Sequence, residues 1–386
     1  MLDVAVVGAG PAGLYAALLL AEEGFDVAIL EEHGALGVPT HCTGVVSDEL
    51  FELFKVPESL ILNRPTTCAI VSPSGRAVAL HSGAEEIAVI DRAQFDAELG
   101  SAALRAGTEV RAGFRVDRVR VEPRRVHIMS AEGESVAARV CILACGVSYR
   151  LQRQIGLGLP PVFLHSAQIE VDAREAPPVV ELHLGEGTAP EGFAWLVPVL
   201  RDGRSRLKVG LMARGDAEAH LDRFINRRGV AERLAGKPGA AVRRLLPLGP
   251  LAKTYADRVL AVGDAAGLTK PTTGGGIFYS LLSGVFAAET LTEALRNDRL
   301  GDEALRAYER RWKTRLDSHL RISSYLRRLF IKLSDGELET LLAAIASDEL
   351  QEVIRRTAQF NWHGEMIRSI LRQRGIKSVL VRALLR

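Results

Sequence analysis

The 386-residue chain has little cysteine: Cys42, Cys68, Cys141 and Cys145 are all there is. They form no CxxC pair and no Cys/His spacing of the kind that holds zinc, so no metal site is expected. At this density and chain length a disulfide scaffold is not expected either, and a reducing, cytoplasmic setting is the default. No run of about 20 residues is free of charge and glycine as a membrane-spanning helix requires. The apolar start lacks the basic segment of a secretory leader, carries Asp3, and is broken by glycine where a leader would be continuous. Net charge is only +2, so total charge points to no polyanionic partner and no nucleic acid is expected. Internal repeats and low-complexity segments are missing. Apolar residues make up 47%, ample for a core, and the length suggests two domains or one large fold with an insert.

Glycine, by contrast, is placed with purpose. Residues 2–31 read LDVAVVGAGPAGLYAALLLAEEGFDVAILE. Val4–Val7 is a short β-branched run suited to a strand buried on both faces. Gly8, Gly10 and Gly13 then give GxGxxG, residues 14–23 are good helix formers, Gly24 ends the helix, and Val27–Leu30 is a second buried strand. Gly8 permits a tight turn, Gly10 lets backbone approach a pyrophosphate, and Gly13 allows close helix–strand packing. The helix start offers free N–H groups and a positive dipole end to phosphate. Glu31, at the end of the second strand, can accept from a ribose diol and would repel a 2′-phosphate. Inside β-α-β, with the acid 18 residues past Gly13, the motif points to an ADP-containing dinucleotide.

A second motif lies far downstream. Residues 259–267 read VLAVGDAAG, an apolar strand running into Gly263-Asp264, and PTTGGGIFYSLLSGVFAAETL follows, a glycine loop opening a helix. Asp264 suits a contact to the ribityl or pyrophosphate region of the same cofactor; its bland alternative is an ordinary N-cap. The pairing of GxGxxG with a late GDAAG resembles the FAD-binding pattern of the para-hydroxybenzoate hydroxylase group. Residues 89–107, VIDRAQFDAELGSAALRAG, resemble that group's DR..FD..L segment, which implies that Arg92 lies near the cofactor.

EEHGALGVPTHCTGVVS (31–47), GFAWLVPV (192–199) and KPTTGGGIFYSLLSG (270–284) resemble one branch of this group, the geranylgeranyl reductase family, over residues 1–330. The family's PxxxxC-type loop maps onto Pro39 to Cys42, and its aromatic substrate motif maps onto Phe193, Trp195 and Pro198. Phe193 stands where the motif has Tyr, and Val199 where it has Lys. The resemblance implies an α/β fold: a Rossmann-like FAD-binding domain (1–157 and 248–295), an inserted antiparallel β-sheet substrate domain (158–247) and a helical C-terminal region (296–386). It implies a reductase that saturates double bonds of a polyprenyl lipid by hydride transfer from FAD. NAD(P)H and a ferredoxin-type carrier both remain open as electron donor.

The expected cofactor residues are Gly8, Gly10, Ala12, Gly13, Glu31, Glu32, Cys42, Arg92, Gly263, Asp264, Gly274, Gly275, Gly276 and Ile277. Phe193, Trp195 and Pro198 are expected at the substrate, although Trp195 could equally be core packing. The loop with Cys42 follows the strand carrying Glu31, which places the thiol toward the flavin ring. An ordinary thiol is protonated at neutral pH and can donate. His41 is an alternative donor, Tyr279 a third, and plain packing of Cys42 the bland reading. Cys141 and Cys145, in an apolar strand, read as small hydrophobes.

Two rivals stand beside this reading. One is a flavin monooxygenase acting on a small apolar or aromatic substrate, or a halogenase, whose WxWxIP motif FAWLVP resembles. Halogenation needs a placed lysine, and the only lysine before Lys208 is Lys55. The other is a non-catalytic isoprenoid-binding protein, against which GDAAG argues. The last stretch, 366–386, carries six basic residues and no acid. Its apolar positions suit either packing on the domain or a peripheral contact with an anionic membrane face.

Overall fold

The computed structural model describes residues 1–40, 42–81, 87–174, 176–177, 179–236, 238–373 and 376. The chain forms two compact units. The first comprises Met1–Thr40, Arg92–Phe163 and Pro247–Leu320; the second comprises His41–Asp91, Leu164–Leu246 and Arg321–Arg386.

Five parallel strands run through the first unit, in the order Val259–Ala261, Ser135–Leu143, Leu2–Val7, Val27–Glu31 and Glu109–Ala112. Tyr255–Ala256 adds an antiparallel edge, and Val116–Glu122 with Arg125–Ser130 forms an antiparallel ribbon on Ser135–Leu143. The central strands read as apolar runs because helices cover both faces of such a sheet. Val4, Ala5, Val6, Ala28, Ile29, Cys141 and Ile142 are fully buried. Two helices cross closely here, Pro11–Glu22 and Ile277–Arg296. A β-carbon added at Gly284 would stand 3.2 Å from the carbonyl oxygen of Ala12 and the amide nitrogen of Ala16. Helix Asp302–Trp312 completes the unit: Tyr308 donates to the Ala261 carbonyl (2.8 Å) and Trp312 to the Thr254 hydroxyl (2.9 Å).

The second unit is built on a seven-stranded sheet ordered Val242–Pro247, Phe163–Asp172, Arg204–Ala213, Phe193–Arg201, Val180–His183, Thr67–Val71, Ala77–His81. Period-2 alternation sorts its residues by face. Ala167, Ile169, Leu196, Leu207, Val209 and Leu211 share one face with Leu221 and Phe224 of helix Ala217–Ile225. Each such valine, leucine, isoleucine or phenylalanine side chain contributes about 1.5–3 kcal/mol on full burial. That helix starts at Asp216, whose carboxylate accepts from the amides of Glu218 and Ala219. Gln168, Trp195, Lys208 and Gly210 point to the opposite face. A three-stranded antiparallel sheet, Val45–Ser47, Ile87–Ile90 and Ile61–Asn63, also belongs to this unit.

The sequence reading limits the inserted sheet to 158–247. The sheet also takes in Thr67–Val71 and Ala77–His81, and the pair Val180–His183/Thr67–Val71 is parallel. Residues 41–91 therefore cluster with it. Such pairing joins segments over 100 positions apart, and no local pattern announces it. Between 296 and 386, the regular elements among the described residues are helices joined by turns. Asp302–Trp312 clusters with the first unit, and Asp335–Ile345, Asp348–Thr357 and Gly364–Arg372 with the second. Ser334 and Glu337 form a capping box at the head of Asp335–Ile345. Among the described residues no helix is long and apolar enough to cross a membrane.

Candidate functional site

The nucleotide motif is assembled within the first unit. Gly8 has φ +104°, and a β-carbon there would lie 2.5 Å from the Ala144 carbonyl oxygen. At Gly13 it would lie 2.2 Å from the Gly8 carbonyl oxygen, so only glycine packs the helix onto the turn. Gly10 faces open space, which leaves the backbone approachable. The helix beginning at Pro11 has no side-chain cap, and its first N–H groups are presented as an anion site requires. Glu31 is 8% exposed. One of its oxygens accepts from the Ala9 amide at 2.7 Å, and the other from the His33 amide at 2.9 Å and meets His33 Nδ1 at 2.5 Å. These bonds fix the carboxylate at the strand end where a ribose would lie. Glu32 is exposed and sits 4.0 Å from Arg115.

The late motif docks on the same turn. Gly263 has φ +56°, and its amide donates to Ser283 Oγ at 2.9 Å. The Asp264 carbonyl accepts from Tyr149 at 2.6 Å, and the Ala265 carbonyl from Gln152 at 3.1 Å. Burial, with the Asp264 charge, pushes the Tyr149 phenol up. A β-carbon on Gly276 would stand 3.0 Å from Asp264 Oδ1, so the loop Gly274–Gly275–Gly276 passes beside that carboxylate. Ile277 opens the second helix, also without a side-chain cap. Two uncapped helix starts, a buried acid and approachable glycine backbone together fit a dinucleotide. Arg92, its side chain mostly buried, is paired with Asp96 one turn along its helix, at 3.0 Å to each oxygen. Tyr279 is 2% exposed. Cys141 is buried, and burial pushes Cys145 up to about 11.

The second unit holds the other group of predicted residues. Trp195, Gly210 and Gln168 lie side by side on three neighbouring strands. A β-carbon on Gly210 would be 2.6 Å from the Trp195 ring, so that glycine makes room for the indole. Trp195 Nε1 donates to Gln168 Oε1 at 3.2 Å. The same oxygen accepts from Thr43 Oγ1 at 3.0 Å, while Gln168 Nε2 donates to the Cys42 carbonyl at 3.3 Å. Gly44 N–H points at Cys42 Sγ, 3.3 Å away. Phe193 meets Trp195 edge-on at 5.9 Å, and the Pro198 carbonyl accepts from Asn63 at 2.9 Å. Trp195 thus packs on the face opposite the helix-covered core. His41 lies outside the described residues.

Several residues in this cluster escape a reading of the sequence. Gln168 joins loop to sheet. Lys208, next to Val197 and Glu170 on the neighbouring strands, is 4% exposed and donates to the Thr43 carbonyl at 2.8 Å. Burial holds its ammonium below the ordinary lysine range, with Cys42, Glu170 and Asp91 opposing and Arg201 adding to the effect. The only local signal was a cation inside an apolar strand, RLKVGLMA. Asn361 and Trp362, both buried, donate to Glu49 at 2.8 and 2.6 Å, so a C-terminal segment fastens the chain just past the Cys42 loop. Among the described residues no group of three His, Cys, Asp or Glu side chains is placed to hold a metal ion.

Known proteins resemble this chain in sequence and fold. The FAD binding domain family matches residues 1–234. The digeranylgeranylglycerophospholipid reductase of Methanothrix thermoacetophila is 31% identical over 382 residues, covering 91% of this chain and 93% of that one. Digeranylgeranylglycerophospholipid reductase 1 of Methanopyrus kandleri is 32% identical over 370 residues, covering 92% and 96%. The crystal structure of a geranylgeranyl bacteriochlorophyll reductase-like protein from Thermoplasma acidophilum superposes with a TM-score of 0.86 across 99% of both chains; at 24% identity it speaks for the fold. Fold, glycine cradle and sequence together define an FAD-dependent oxidoreductase. Within that class, the chain belongs to the geranylgeranyl reductase family.

Proposed function

We propose that this protein saturates carbon–carbon double bonds of a polyprenyl lipid of the digeranylgeranylglycerophospholipid kind. The observation that carries this reading is identity of 31–32%, over more than nine-tenths of both chains, with reductases of that name. When bound and reduced, FAD supplies hydride to one alkene carbon. An isolated alkene has no carbonyl to draw off electron density, so the protein must orient it, exclude water and give a proton to the other carbon.

We assign the FAD contacts to the first unit. Gly8, Gly10, Ala12, Gly13 and the start of the first helix take the pyrophosphate, Glu31 the ribose, and Gly263, Asp264 and Gly274–Ile277 the ribityl side; Glu32 and Arg92 are outer members. The prenyl contacts belong to Phe193, Trp195 and Pro198. Burial of each CH₂ contributes about 0.8 kcal/mol, so a long chain binds without a polar clamp. Cys42 is the proposed proton donor, supported by the hold that Gln168 and Gly44 keep on its loop. His41 and Tyr279 are the alternatives. Electrons reach FAD from NAD(P)H or a ferredoxin-type carrier, and anaerobic flavin bleaching with each decides between them.

A peripheral membrane contact through 366–386 completes the reading. Ile370, Leu371 and Ile376 pack against Leu329 and Leu350, while Arg368 and Arg372 are exposed. Over the described part of this stretch the contact is therefore electrostatic; residues 374–375 and 377–386 lie outside the described residues. Mass spectrometry of lipid extracts from a host making digeranylgeranyl lipids tests the function. Expression should add one H₂ per saturated bond; unchanged lipids beside a soluble flavoprotein would refute it.

A further inference from the structure

We propose that Lys208 is the charge partner of Cys42: it stabilises the thiolate left when Cys42 gives up its proton, and returns a proton to it. The inference rests on the reading of Cys42 as donor and deepens it.

The geometry is unusual for a structural lysine. Lys208 is nearly fully buried, yet its one hydrogen bond among the described residues is to the Thr43 carbonyl, at 2.8 Å. No described carboxylate pairs with it. The two acids within electrostatic reach are engaged elsewhere: Arg201 binds Asp91 at 2.5 Å and Glu170 at 2.9 Å, and Arg206 binds Glu170 at 3.0 Å. An ammonium has three donors, and burying it without a carboxylate is costly. A methionine of similar length would fill the same space without that cost. What this cation faces instead is the Cys42–Gly44 turn. Its nitrogen lies 3.4 Å from where a Gly44 β-carbon would stand, and the Cys42 thiol is the first of the groups that favour its charge. Gly44 N–H, aimed at Cys42 Sγ at 3.3 Å, is the donor this sulfur already has.

The chemistry balances. The Cys42 S–H bond breaks as a C–H bond forms at the alkene carbon, and the electron pair stays on sulfur. An N–H bond of Lys208 then breaks as S–H re-forms, and the neutral amine regains its proton from solvent. The depressed ammonium suits this second transfer. Lys208 is in this sense a positioning residue, since it acts through Cys42.

The test reads the thiol directly. Cys42 alkylation by iodoacetamide is followed against pH in the FAD-bound protein, with peptide mass spectrometry to separate the four cysteines. Burial pushes Cys68 up to about 12 and Cys145 up to about 11, and raises Cys141 as well, so these react later. Lys208→Met should move the Cys42 alkylation midpoint up by about one pH unit or more, and Lys208→Arg should restore most of it. The pH profile of alkene reduction should move the same way. An unchanged midpoint in Lys208→Met and Lys208→Gln, with normal flavin content, overturns the pairing and leaves Lys208 a strut for Thr43. A normal turnover rate in Cys42→Ala overturns the donor reading instead, and with it the role of the pair in turnover.

Discussion

Gly263 and Ala12 approach so closely that a β-carbon added to Gly263 would stand 2.8 Å from that of Ala12. Residues 251 positions apart in sequence thereby form one surface at the head of the helix Pro11–Glu22. The added carbon would also lie 3.0 Å from Ser280 Oγ, and the backbone there is left-handed, at φ +56°.

Gly263→Ala should therefore lower stability by roughly 1–3 kcal/mol through strain and overlap. Bound flavin should fall with it, since the late motif would be pushed off the opening turn. The flavin-to-protein absorbance ratio and a thermal melt measure both. Wild-type values in both would show that the close approach is incidental.

Glu31→Gln replaces one charged acceptor with an amide group that clashes with a backbone N–H. The amides of Ala9 and His33 each lose a charge-assisted bond, worth about 1.5–3 kcal/mol in such settings. FAD titrated into the apoprotein should bind about tenfold more weakly or worse. Equal affinity would remove Glu31 from the ribose.

Cys42→Ala should slow alkene reduction while leaving flavin content unchanged, and Cys42→Ser should fall between the two. Gln168→Leu should show a milder form of the same defect, because the loop loses its Gln168 tie to the sheet, though not that of Lys208, and Trp195 loses its acceptor. Turnover of purified protein on a prenyl lipid measures each. A Gln168→Leu variant as fast as wild type would show that the loop holds its place without Gln168.

Lys208 makes stability depend on pH with a definite sign. Its folded-state pKa lies below the unfolded value, so between the two the unfolded chain binds more protons and stability rises with pH. The raised thiols of Cys68, Cys141 and Cys145 act oppositely above about pH 8.5, so the comparison must be with Lys208→Met. Wild type should gain on that variant as pH rises toward the ordinary lysine value of about 10.4, read as the difference in denaturation midpoint. A constant difference would mean that Lys208 keeps an ordinary pKa in the fold.

The cradle was legible in sequence because its logic is local. Gly8, Gly13 and Glu31 lie within one β-α-β unit, and GDAAG ends one short strand. The inserted antiparallel sheet came from the family resemblance, and Phe193–Arg201 with Arg204–Ala213 is its central hairpin. Strand Thr67–Val71 beside Val180–His183 was not, since both are short and their pairing depends on a register that no local pattern encodes. Gln168 and Lys208 were hidden for the same reason: only the three-strand register puts them on the face of Trp195. Trp362 and Glu49 meet across 313 residues, beyond any spacing rule.

A single anaerobic turnover tests the central claim most directly. The purified flavoprotein is reduced with dithionite, freed of excess reductant, and mixed with a digeranylgeranyl glycerolipid. Flavin should reoxidise without oxygen, and the lipid should gain one H₂ for each flavin reoxidised. Flavin that stays reduced until oxygen is admitted, with the product then gaining an oxygen atom, would contradict reduction and establish a monooxygenase.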